Sequence, residues 1–165
     1  MKVLVAEDAE SVRELYRVAL ESRGHQVAIS GNGKECVDAY RHELQKNPGQ
    51  APFDVVVLDY RMPQVDGLEA AKEILKMRPG QRIIFASAFV KETLMDSVKD
   101  LGQVVELLQK PFDPKILVDL IEDTSTTREL KEINRLVAGL DSDKPSDLQI
   151  KDLLDALKRM QKGGL

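Results

Sequence analysis

Val55-Val56-Val57-Leu58-Asp59-Tyr60-Arg61-Met62-Pro63 is the stretch that decides the fold. Three β-branched residues and a leucine in succession favour a strand. The run is apolar without alternation, which is the pattern of a strand covered on both faces, as in a parallel sheet between two layers of helix. It ends on a carboxylate, Asp59. Ile83-Ile84-Phe85 is a second run of the same kind.

Working outward, short apolar runs alternate with longer amphipathic ones. Strands are expected at 2–6, 25–30, 53–58, 82–86 and 104–108. Helices are expected at 11–23, ended by Gly24, and at 34–45, 67–77, 91–101 and 113–123. Pro114 suits the first turn of the last of these. Asn47-Pro48-Gly49-Gln50-Ala51-Pro52 is a loop. Five strands alternating with five helices predict an α/β fold, a doubly wound parallel sheet with right-handed crossovers.

The composition agrees. The 165 residues are 42% hydrophobic and 32% charged, enough apolar material for one core. With four Phe, three Tyr and no Trp, that core must be built from aliphatic side chains. A net charge of −4 with both signs interspersed argues against a dedicated nucleic-acid binder, which carries a basic patch. The single cysteine, Cys36, excludes an intrachain disulfide framework and reads as a small core residue. Glu7 and Asp8 interrupt the first apolar run, so no signal peptide is expected there. No stretch is apolar enough to span a bilayer. A cytoplasmic location without membrane insertion is the expectation.

The chemistry lies where the strands end. The first expected strand runs into Glu7-Asp8, the third into Asp59, the fourth into Ser87 and the fifth into Gln109-Lys110. In a parallel sheet these ends share the carboxyl edge, where open α/β folds bind ligands. Converging carboxylates repel one another unless a positive charge compensates. A hard divalent cation with oxygen ligands does so, and Mg²⁺ suits a site that also handles phosphate. Lys110 adds a point charge for a transferring phosphoryl group. The set therefore reads as phosphoryl transfer to a carboxylate. Taken singly, each residue has a plainer reading: a solvated turn acid or helix cap, a loop hydroxyl, a surface lysine. It is their delivery by four separate strand ends that points to a site.

Glu7-Asp8, Leu58 to Pro63 with Asp66-Gly67, Ala86-Ser87-Ala88 and Lys110-Pro111-Phe112, in that order, closely resemble the receiver domain of two-component response regulators. The resemblance covers residues 1 to about 123. It implies the flavodoxin-like strand order 2-1-3-4-5. It also implies that Asp59 accepts phosphate from a sensor histidine kinase or a phosphotransfer protein, switching the binding of a downstream protein target. Mg²⁺ would be held by Asp8, Asp59 and the backbone carbonyl of Arg61, with Glu7 acting through a metal-bound water. Ser87 and Lys110 would contact the phosphoryl group, and the Lys110-Pro111 bond would be cis. Such a domain catalyses only its own phosphorylation and dephosphorylation. The pattern departs from the family at Glu7, where aspartate is commoner, and at Leu107, where an aromatic ring often stands. Arg61 and Phe89 fall at positions where the family varies, and both a tuning role and a plain surface role are open.

Residues 124–165 are expected to form a two-helix C-terminal extension with no recognised output domain. Thr126 with Glu129, and Ser146 with Gln149, have capping-box spacing ahead of apolar stripes. Basic and acidic residues nearly balance there and no aromatic occurs, which argues against DNA as a partner. Packing onto the receiver and a homodimer through these helices both stay open. So do three alternatives to a stand-alone switch: a transcriptional regulator acting through the tail, a docking module that takes no phosphate, and a magnesium-dependent hydrolase on the same fold.

Overall fold

Every residue of the central strand Val55–Asp59 is buried, as its unbroken apolar run requires. The computed structural model describes residues 1–125, 129, 130, 133–135, 151 and 155. Its strands are β1 Lys2–Ala6, β2 Gln26–Ser30, β3 Val55–Asp59, β4 Ile83–Ser87 and β5 Glu106–Gln109. They form one parallel sheet in the order β2-β1-β3-β4-β5, with helices on both sides. The fold is the flavodoxin-like one expected. The helices are α1 Glu10–Glu21, α2 Gly33–Lys46, α3 Gly67–Met77, α4 Val90–Asp96 and α5 Pro114–Glu122. The chain forms two compact units, Met1–Ala86 and Ser87–Leu165.

In the first unit β1 pairs with β2 from Lys2↔Gln26 to Ala6↔Ser30, and with β3 from Val3↔Val55 to Ala6↔Leu58. β3 pairs with β4 up to Asp59↔Ala86. The edge strand β2 is only partly buried, whereas β1 and β3 are closed off by their neighbours and by helices. Four of the seven aromatic rings meet in two pairs. Tyr60 meets Phe85 edge-on with ring centroids 5.7 Å apart, and Tyr40 lies 6.0 Å from Phe53. Tyr40 is buried and donates to Gln81 Oε1 at 2.7 Å, so its hydroxyl is satisfied. Asn32 and Asp66 cap α2 and α3 by accepting from Glu35 N and Glu69 N, each at 2.9 Å. Gly24, at φ 84°, takes the left-handed conformation that turns the chain from α1 into β2.

In the second unit Asp113 caps α5, with Pro114 in its first turn. Two expectations shift here. The helix expected over 91–101 is α4 followed by a π-helical turn, Ser97–Leu101, closed by Gly102 at φ 67°. Thr93 and Ser97 donate their hydroxyls to the carbonyls four residues back, Phe89 O and Thr93 O, both at 2.8 Å. Such back-bonding competes with the regular ladder and bends helices. The last strand begins at Glu106 rather than Val104 because the Asn134 carboxamide occupies the Val104 backbone. Asn134 Oδ1 accepts from Val104 N at 2.6 Å and its Nδ2 donates to Val104 O at 3.1 Å.

Glu129, Leu130, Ile133–Arg135, Lys151 and Asp155 are helical, and Ile133 is buried. The expected caps at Thr126, Ser146 and Gln149, Val137 and Leu140 of the first apolar stripe, and all of the second stripe lie outside the described residues. Among the described residues no helix is long and apolar enough to cross a membrane.

Candidate functional site

The carboxyl end of β1 delivers Glu7 and Asp8, and β3 ends on Asp59 itself. One carboxylate oxygen from each of the three lies within 4.8 Å of the others. Glu7 and Asp59 are buried and Asp8 is exposed. Their setting is fixed by backbone. Glu7 N donates to Ser30 O at 3.2 Å, its carboxylate accepts from Ala9 N at 3.1 Å, and its carbonyl accepts from Arg13 Nη1 at 2.8 Å. Beyond Asp59, Tyr60 N donates to Ala86 O and Gly67 N to Tyr60 O, both at 3.0 Å. The start of α3 therefore closes directly over the end of β3. A Cβ on Gly67 would collide with the Asp59 carbonyl oxygen, and only glycine permits this approach.

Three carboxylate oxygens this close repel one another unless a positive charge lies between them. An all-oxygen set with one exposed member and two buried ones fits a hard cation that keeps part of its water shell, and Mg²⁺ is such an ion. Arg61, whose backbone carbonyl is the fourth expected ligand, turns its side chain to solvent, its guanidinium carbon 6.0 Å from the Tyr60 ring centroid.

In the second unit Ser87 is the last residue of β4, and buried. Its Oγ accepts from Phe89 N at 2.9 Å and lies 2.8 Å from Thr93 Oγ1. Lys110 N donates to Ser87 O at 2.8 Å, which ties the end of β5 to that of β4. Lys110 is half-buried and the Lys110-Pro111 bond is cis, as expected. Leu107 is buried and fills the position where the family often has an aromatic ring. Phe89 is 55% exposed and sits at the head of α4. Thr93 is the residue that sequence reading missed. Its position four residues after Phe89, in the first turns of a helix, was the available signal.

A family model described as the response regulator receiver domain matches residues 3–122. This chain belongs to that family. Receiver domains are the signalling modules of two-component systems. The chain is 30% identical over 125 residues to the chemotaxis protein CheY of Thermotoga maritima, covering 75% of this chain and 97% of that one. It is 33% identical over 141 residues to the transcriptional regulatory protein PdtaR of Mycobacterium tuberculosis, covering 84% and 64% respectively. Among solved structures, the chemotaxis protein CheY4 of Vibrio cholerae superposes with a TM-score of 0.61 at 26% identity, over 73% of this chain and 95% of that one.

Proposed function

We propose that this receiver domain takes a phosphoryl group onto Asp59 and thereby switches its binding to a downstream protein. The observation that carries the reading is the acidic cluster of Glu7, Asp8 and Asp59, with Asp59 at the end of the buried central strand. In the transfer, an Asp59 carboxylate oxygen bonds to phosphorus as the phosphorus–nitrogen bond of a phosphohistidine breaks. The bonding pair leaves with the imidazole, which takes a proton. The donor is a sensor histidine kinase or a phosphotransfer protein.

Asp8, Asp59 and the Arg61 carbonyl would hold Mg²⁺ directly and Glu7 through water. The bound ion supplies neutralisation of the charge that gathers on the phosphoryl oxygens. Lys110 contributes a second positive charge, and Ser87 donates its hydroxyl to a phosphoryl oxygen. These residues position and neutralise, so the domain acts on its own carboxylate rather than as an enzyme with turnover. In this reading the receiver spans residues 1–123, the two-helix C-terminal extension expected over 124–165 follows it, and the protein works in the cytoplasm.

Incubation with a small phosphodonor such as phosphoramidate tests this by intact mass. One phosphate adduct should form with Mg²⁺ present and none after chelation. No adduct under any metal condition would leave only a docking module.

A further inference from the structure

Thr93 is fully buried, and its hydroxyl has one proton but two acceptors at 2.8 Å, the Phe89 carbonyl and Ser87 Oγ. A carbonyl has no proton to return, whereas a hydroxyl can both give and accept. Both contacts are made together only if Thr93 donates to Phe89 O and Ser87 donates to Thr93 Oγ1. Ser87 Oγ already accepts from Phe89 N at 2.9 Å, and with the Thr93 proton committed to the Phe89 carbonyl the Ser87 proton is the one that joins the two hydroxyls.

We propose that Thr93 is a positioning residue for the phosphoryl switch: it holds the Ser87 proton in the unphosphorylated protein and must give it up when the phosphoryl group is present. The inference rests on Ser87 being a phosphoryl ligand. One proton cannot serve Thr93 and a phosphoryl oxygen at once, so the two bonds exclude each other. The exchange reaches into α4 directly. Thr93 N and Oγ1 both bond Phe89 O, and Ser97 Oγ donates to Thr93 O where the helix widens into its π-helical turn. Extra-wide turns of this kind are frequent at functional sites. With leucine at position 107, this line of hydroxyls gives the chain a route from Ser87 into a helix that needs no aromatic ring on β5.

The test is affinity for beryllofluoride, a phosphoryl mimic, in the presence of Mg²⁺, measured by titration on the full chain. Thr93→Val keeps the volume and loses the acceptor, and the Phe89 carbonyl keeps its bond from the amide of residue 93. With Ser87 released beforehand, Thr93→Val should bind the mimic roughly fivefold tighter than wild type, the worth of one ordinary hydrogen bond. Thr93→Ser, which retains the hydroxyl, should bind as wild type does. Thr93→Ala should move the same way as Thr93→Val and serves in its place if that variant does not fold. Combined with Ser87→Ala, which should itself bind more weakly, Thr93→Val should add nothing. If Thr93→Val and Thr93→Ala bind no tighter than wild type while Ser87→Ala is weakened, Thr93 is a packing residue and the proposal falls alone. If Ser87→Ala binds the mimic as tightly as wild type, the reading of Ser87 falls and takes the proposal with it.

Discussion

Replacing Gly67 by alanine should damage the site from beneath. A Cβ at this position would stand 2.9 Å from Tyr60 Cα and 3.1 Å from the Asp59 carbonyl carbon, and nearer still to the Asp59 carbonyl oxygen. Carbon atoms pack best at about 3.5–4.0 Å, so the start of α3 and the end of β3 must separate by at least ~0.6 Å. Both sides are backbone, and no side chain can swing away. Overpacking of this kind costs about 1–3 kcal/mol. Alanine returns at most ~1 kcal/mol through its better helix propensity. A net loss of about 1 kcal/mol, the middle of the resulting range, would lower a urea midpoint by roughly 0.5 M. Gly80→Ala is the control, because a Cβ there meets nothing within 4 Å. It should stay within about 0.5 kcal/mol of wild type. Since the strain enters at Asp59, phosphorylation by a small donor should slow in Gly67→Ala and not in the control. Equal midpoints and equal rates for the two variants would refute the reasoning.

Asn134→Ala should release the Val104 backbone, and the Val104 amide should exchange with solvent at least tenfold faster, as expected for the loss of about 1.4 kcal/mol; unchanged exchange would mean that the carboxamide clamp contributes nothing. Hydrogen bonds from Lys2 and then Lys46 hold the Glu43 carboxyl down at about 2, from an ordinary value of 4.5. A lowered carboxylate contributes stability that is present above its unfolded value and lost as pH falls through the folded one. Glu43→Gln should therefore be less stable than wild type at pH 7, with the difference closing between about pH 4.5 and 2; a difference independent of pH would count against the pairing. Burial pushes the Cys36 thiol up to about 12. Alkylation by iodoacetamide at pH 8 should then wait on unfolding, and rapid labelling of the native protein would contradict the burial.

Much of the fold was legible because local pattern and tertiary role coincide. The runs at 55–58 and 83–85 are apolar on both faces and lie in fully buried strands. Gly24 and Pro114 mark a helix end and a helix start through their own backbone chemistry. The acidic cluster was legible for a related reason: strand ends of a parallel sheet meet at one edge, so Glu7, Asp8 and Asp59 follow from the strand assignments. What escaped depends on contacts that no local window contains. The start of β5 is moved by Asn134, thirty residues further on. The break in the helix after Asp96 follows from hydroxyls that a helix-period reading treats as neutral. Thr93 was passed over because its importance comes from the proton count at Ser87, which needs distances rather than spacing.

The central claim is that Asp59 is the acceptor. Intact mass of the wild type and of Asp59→Asn, each treated with phosphoramidate and Mg²⁺, tests it most directly. The amide keeps the size of the carboxylate but cannot form the acyl phosphate. A single phosphate adduct on the wild type and none on Asp59→Asn is the predicted result. An adduct of undiminished yield on Asp59→Asn would contradict it.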